Sequence, residues 1–185
     1  MSISPRVFAI VASLILVLDQ WSKYWAVSAL TNAFLGATSF GERLGLFQTA
    51  QHPRPIRQIA VLDDFWHWRY AENTGAAFSF LANAPEWFRR PFFLAVPVIA
   101  MGVIIWYFKK TPEEHRTTRL ALALVFGGAV GNFIDRMRLG YVIDFISWHW
   151  YDKATWPTFN VADSAISVGV VLLLLFSVKP EKTAI

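Results

Sequence analysis

A chain of 185 residues without a single cysteine excludes disulfides, thiolate nucleophiles and cysteine-bound metals. Its residues are 55% hydrophobic and only 16% charged, against roughly 25% charged in an average soluble domain, so the composition excludes an ordinary soluble protein and makes the membrane the solvent. The net charge of +4 comes without a long basic run, which sets nucleic acid aside as a partner and points to membrane-flanking charges.

The first apolar segment covers Val7 to Leu30 and carries Asp19, Gln20, Ser22 and Lys23 inside it. No small-x-small cleavage site follows its first apolar run, so an uncleaved transmembrane helix is predicted rather than a signal peptide. Asp19 and Lys23 stand at i and i+4, the spacing of a structural ion pair. A polar stretch, Thr31 to Trp87, comes next. Its short alternating runs and the turn at Asn73-Thr74-Gly75 predict a small sheet and a loop at the membrane face.

Three further apolar segments follow, at Phe92–Phe108, Leu120–Ile134 and Ala162–Val178. They reach the roughly 20 residues that a bilayer requires only with their polar flanks included. The connection between the last two is rich in Trp and Tyr, as an interfacial segment is. Four spans place both termini on one side. Lys109, Lys110, Arg116 and Arg119 of the second connection, with Arg6, Lys179 and Lys182 of the tails, assign that side to the cytoplasm. Arg54, Arg57, Arg69, Arg89, Arg90, Arg136, Arg138 and Lys153 lie on the other side and make the charge rule a weak vote.

Ionisable groups in membrane helices are costly and usually face protein or water. Here they gather toward one leaflet. Asn132, Asp135 and Arg136 share a helical face at the end of the third span. Gly140 is placed to break that helix, and Asp144 follows after a short return. Asn160 and Asp163 open the fourth span.

Two neighbouring carboxylates cannot both ionise cheaply, so such a pair supplies a base and an acid together. That is the chemistry of aspartic proteases and needs no metal or other cofactor. His52, His67, His115 and His149 are scattered without ligand spacing. The residues alone do not say which two of the three aspartates react. Structural roles compete with chemistry for each. Asp135 beside Arg136 fits a membrane-end charge cluster, Asp163 before Ser164 a helix N-cap, and Asp144 a pairing with an arginine. Asn73 fits a left-handed turn, and Gly127, Gly128 and Gly131 fit close helix contact. A proton-coupled transporter is the rival from another class, although no internal repeat accompanies the carboxylates. A non-catalytic membrane subunit is the third reading.

Four blocks occur in order along the chain: DQWSK in the first span, NTGAAFSFL before the second, GGAVGNFIDR with VIDF after the third, and FNVADS at the fourth. Together they resemble the bacterial lipoprotein signal peptidase family, signal peptidase II, over nearly the whole chain. The resemblance implies a mainly α membrane protein, a four-transmembrane-helix bundle with a small extracytoplasmic β-cradle and an interfacial helix. It implies one domain over 1–185, with spans at about 7–30, 88–108, 118–137 and 160–179 and the cradle at about 31–87.

The implied activity is that of an intramembrane aspartic endopeptidase without a cofactor. Its partner is a prolipoprotein with a diacylglyceryl cysteine, cut just before that cysteine at the extracytoplasmic face of the bacterial inner membrane. By the family's pattern Asp144 and Asp163 form the dyad and Asp135 supports it, while Asn73, Asn132, Arg136 and Asn160 surround the site. The site looks complete in one chain, so a monomer among membrane lipids is expected. The segment around residues 37 to 60 is longer than in compact members of the family. It carries Arg43, Arg54 and Arg57, for which anionic headgroups are one target.

Overall fold

The computed structural model describes residues 3–75, 84–151 and 153–177. Helix α1 runs unbroken over Pro5–Leu30. The Ser4 hydroxyl accepts from the Val7 amide at 3.4 Å, and Pro5 occupies the first turn, where its missing N–H costs nothing. Ile10, Leu14, Val17, Leu18 and Trp21 form an exposed apolar stripe along it. The polar DQWSK stretch continues the same helix, with Asp19 and Lys23 turned fully inward.

Helix α3 covers Glu86–Lys110 and α4 covers Arg116–Leu139. With α1 they are the three described helices long and apolar enough to cross a membrane. Their 24 to 26 residues give about 36–39 Å at 1.5 Å per residue, more than the roughly 30 Å of the hydrocarbon core. Helix α5, Val161–Ser177, is apolar but shorter at 17 residues. That length gives about 26 Å, and the rest of the expected fourth span, 178–179, lies outside the described residues.

Helix α4 is the centre of the bundle, packed on α1, α3 and α5. Its glycines permit this. A Cβ on Gly127 would stand 2.7 Å from the Ala12 carbonyl oxygen of α1, and one on Gly128 2.5 Å from that of Ala162 in α5. A Cβ on Gly131 would meet the Asp19 carboxylate. Small residues therefore let three backbones approach, as at other membrane helix crossings. Phe8, Ile104, Phe108, Leu122 and Ala123 close one end of the bundle. There the Arg119 guanidinium lies 4.2 Å over the Phe108 ring and donates to the Thr111 carbonyl at 3.2 Å.

The sheet corrects the expected extent of the cradle. It does not form within 31–87 alone but joins two distant connections of the chain. Strands β1 (Ile59–Leu62) and β2 (Trp66–Asn73) come from the first, and β3 (Val142–Trp150) and β4 (Ala154–Thr155) from the last. They form an antiparallel sheet in the order β1-β2-β3-β4. Backbone N–H and C=O groups of β2 need partners, and the nearest aligned strand is β3. Helix α2, Phe40–Thr49, occupies the long segment, where the residues alone predict sheet and loop and the family resemblance implies an interfacial helix. A Ser39–Glu42 capping box starts it. Arg138 of α4 donates to the Phe47 carbonyl at 3.2 Å and lies over the Phe47 ring, tying α2 to the bundle.

Candidate active site

The path from α4 to Asp144 begins at Gly140, which caps the helix in the left-handed conformation at φ 81°. Such a φ suits glycine, so the expected helix break falls there. Beyond it β3 alternates. Tyr141, Ile143 and Phe145 point into a core with Ala26, Val27, Leu30 and Tyr70, and Asp144 therefore points to the opposite side. Ala71 is the cross-strand partner of Asp144, and Asn73 that of Val142. Asn73 and Asp144 are thus diagonal neighbours on one face, and Asn73 Nδ2 donates to Asp144 Oδ2 at 3.1 Å. Asn73 Oδ1 also accepts from the Gly75 amide at 3.1 Å, so the turn and the site use the same side chain. Residues 76–81 of the NTGAAFSFL block lie outside the described residues.

Asp163 is held by the start of α5. Asn160 Oδ1 accepts from the Asp163 amide at 2.9 Å, and Asp163 Oδ2 accepts from the Asn160 amide at 3.2 Å. This reciprocal cap makes Asn160, not Asp163, the capping residue, and it fixes the carboxylate at the helix mouth. Asn160 Nδ2 reaches across to Asp144 Oδ1 at 2.7 Å. Asn132 Nδ2 donates to Asp163 Oδ1 at 2.7 Å. Asp144 and Asp163 therefore sit on one amide network, and each accepts only from neutral amide groups among the described hydrogen bonds. Burial, then the charge of Asp163, pushes the Asp144 carboxyl up to about 7, against the pull of its Asn73 and Asn160 hydrogen bonds.

Asp135 has a different environment. Its carboxylate meets Lys23 Nζ at 2.8 Å and Arg138 at 3.2 Å. It also accepts from Gln20 at 3.2 Å and from the Ile143 amide at 3.2 Å. Lys23 pairs with Asp19 at 2.9 Å, the expected i, i+4 bridge, and donates to Asn132 Oδ1 at 3.0 Å. Asp19 in turn accepts from the Ala162 amide at 3.0 Å. The expected charge cluster of Asp135 with Arg136 is replaced by these partners. Arg136 instead donates to the Gly75 carbonyl at 3.1 Å and lies 5.2 Å over the Phe93 ring.

All seven predicted site residues thus gather where α4, α5, β2 and β3 meet. Gln20 and Lys23 join them without having been assigned a part. Their signal was present, since three hydrogen-bonding side chains at i, i+1 and i+4 in an apolar helix require partners from other helices. Behind β3 a polar cluster also went unforeseen. Tyr70 donates to Glu72 at 3.2 Å and its hydroxyl lies 3.3 Å from that of Tyr141, and His52 contacts Glu72 at 2.5 Å and stacks on Tyr141. Burial raises both phenols above their ordinary range.

Comparison with known proteins shows the chain's family and fold. The profile of the signal peptidase (SPase) II family matches residues 11–179. A lipoprotein signal peptidase of Anaeromyxobacter sp. (strain Fw109-5) is 47% identical over 167 residues, covering 87% of this chain and 79% of its own. One from Geobacter metallireducens is 41% identical over 177 residues, covering 96% and 93%. A solved bacterial membrane enzyme is 26% identical and superimposes with a TM-score of 0.70 over 100% of this chain and 98% of its own. A second, at 24% identity and a TM-score of 0.69, shares the fold.

Proposed function

Since the chain belongs to the signal peptidase II family, a family of proteases, we propose that it is an intramembrane aspartic endopeptidase with Asp144 and Asp163 as its dyad. One observation carries this reading. Two buried carboxylates on one amide network accept from neutral donors, while the third aspartate is held by two cations. A carboxylate paired with Lys23 and Arg138 has its charge met by those ion pairs and is occupied by them. A pair without a cation shares a proton and holds acid and base at once.

The substrate is a prolipoprotein whose cysteine carries diacylglycerol. The ionised member of the dyad takes a proton from water, and the water oxygen bonds to the carbonyl carbon preceding that cysteine. The protonated member gives its proton to the carbonyl oxygen. The tetrahedral intermediate then collapses: one hydroxyl returns its proton to the ionised carboxylate, the C–N bond breaks, and the cysteine nitrogen leaves with the proton that the other carboxyl took from water. Arg136 and Asn73 stand at the rim, where a guanidinium and an amide suit the substrate backbone. No metal ion or other cofactor enters these steps.

The same reading makes α5 the fourth span and the whole chain one membrane domain, with both termini in the cytoplasm. The sheet and α2 then lie at the extracytoplasmic face of the inner membrane, and a single chain suffices. Tryptophans 66, 68, 148, 150 and 156 on and beside the sheet suit that interface.

The test is cleavage of a purified diacylglyceryl prolipoprotein. Release of signal peptide by the parent, and a loss of about a thousandfold or more in Asp144→Asn and in Asp163→Asn, is expected. Parental cleavage by either variant, present in the membrane at normal levels, overturns the dyad.

A further inference from the structure

The Lys23 side chain is completely buried on α1, out of contact with bulk solvent. An ammonium has three hydrogens and no lone pair. All three are committed: to Asp19 Oδ2 at 2.9 Å, to Asp135 Oδ2 at 2.8 Å and to Asn132 Oδ1 at 3.0 Å. The third bond has a consequence for the dyad. An asparagine amide has two nearly isosteric ends, and its neighbours decide which way each points. Lys23 and Asn160 Nδ2, at 3.1 Å, both donate to Asn132 Oδ1. The NH2 end must then face the other way, where it meets Asp163 Oδ1 at 2.7 Å. The flipped amide would set NH2 against an ammonium and a carbonyl oxygen against a carboxylate, two repulsions in place of two bonds.

We propose that Lys23 is a positioning residue of the reaction, which acts through Asn132 by holding its amide in the one orientation that donates to Asp163. The proposal rests on Asp144 and Asp163 being the reacting pair. It extends the first helix's role beyond the Asp19 ion pair, because a cation on α1 orients an amide of α4 against a carboxylate of α5. Lys23 also sets the field of the site. It faces Asp19 of its own helix, Asp135 with Arg136 and Arg138 nearby on α4, Asp144 on β3 and Asp163 on α5. Its charge favours the ionised form of Asp144. Without it, the pH profile moves to higher pH.

The test measures kcat, KM and the pH profile of cleavage for Lys23→Met, Asn132→Ala and the double variant. Asp163→Asn serves as the reference for loss of the dyad. Lys23→Met leaves two buried carboxylates short of a partner, so the charge-balanced pair Asp19→Asn with Lys23→Met is made as well. In that pair Asp135 keeps Arg138.

The expected result is a fall in kcat of about tenfold to a hundredfold with KM nearly unchanged, the cost of a displaced reacting group. The profile shifts to higher pH, and Lys23→Met adds less than about twofold once Asn132 is already alanine, because neither variant then holds the shared amide. A parental kcat and pH profile in the charge-balanced pair overturns the proposal. So do losses that multiply in the double variant, as independent structural defects would. Full cleavage by Asp163→Asn would instead remove the dyad reading, and is told apart by that variant alone.

Discussion

Asp135 and Asp144 are carboxylates of one site, both at or below 1% exposure, on either side of the Gly140 break. Asp135 lies in the last turns of α4 and faces Lys23 and Arg138. Asp144 lies on β3 and faces Asn73, Asn160 and the charge of Asp163. The side chains are chemically identical, yet one is paired with two cations and the other, held by amides beside a second carboxylate, is pushed up to about 7. Desolvation penalises an isolated charge in both places, and the partner decides how the penalty is met. The end of α4 supplies one ion pair through Arg138, one turn on, and the facing helix α1 supplies the other through Lys23. A strand edge against a second carboxylate supplies only amides, which orient a carboxylate without cancelling its charge. Proton transfer chemistry belongs to the second kind of place.

The sharpest way to break this comparison is to neutralise each aspartate in turn. On the proposed dyad, Asp144→Asn removes a proton carrier and carries the largest expected loss, about a thousandfold or more in cleavage. Asp135→Asn removes an ion-pair acceptor and should act first on stability. The expected cost is about 1.5–3 kcal/mol, the range of a charge-assisted bond, seen as a lower unfolding midpoint in detergent. The activity that remains per folded molecule should exceed that of Asp144→Asn by at least tenfold. If Asp135→Asn is folded at parental stability and equally inactive, the environment of Asp135 does not exempt it from the chemistry.

The residues by themselves did not separate these two aspartates; only the family resemblance gave Asp144 to the dyad and Asp135 to its support. Asp135 and Asp144 both follow a short apolar run, and the local difference is the arginines after Asp135, of which Arg138 at i+3 pairs with it. The rest of what separates them is long-range: Lys23 from α1 and the pairing of β2 with β3. The four apolar segments were legible, because a bilayer demands a long apolar run whatever its neighbours are. The i, i+4 pair of Asp19 and Lys23 was legible for the same local reason. Its third and fourth partners, Asp135 and Asn132, belong to a different helix and leave no periodic trace in α1. Helix α2 did leave one. Ser39-Phe-Gly-Glu42 is a capping-box pattern, and it was hidden by the glycines and prolines around it. The sheet was half legible, since β1 and β2 alternate within one segment while β3 comes from another connection far along the chain.

The proton on Asp144 also makes a prediction about stability. Its carboxyl rises from 3.8 to about 7 in the folded protein. The folded state therefore binds a proton that the unfolded state releases between those values. Its contribution to stability is fully present below the lower value and is lost as pH rises through the higher one. Unfolding midpoints in detergent should decline from pH 4.5 to pH 7.5 and then level. Asp144→Asn, which cannot titrate, should flatten that decline. An equal slope in parent and variant would mean that Asp144 is ionised at neutral pH, and the comparison with Asp135 would lose its basis.

Glu72 supplies the smallest effect and the outer limit of the argument. It sits on β2, next to Asn73 in sequence, but on the strand face away from Asp144. Its side chain keeps 22% of its exposure and contacts His52, which is 66% exposed. Tyr70 donates to its other oxygen. Water reaches this carboxylate, so neither a buried cation nor a proton is required to settle its charge, and an ion pair of this kind is worth about 0–1 kcal/mol. Glu72→Gln should then lower the unfolding midpoint slightly and leave cleavage and its pH profile unchanged, because the amide still accepts from Tyr70. A loss of cleavage close to that of Asp144→Asn would mean that the strand, rather than the surroundings of each carboxylate, transmits function. The distinction between a carboxylate held by cations and one held by a proton would then explain less than the pairing of β2 with β3.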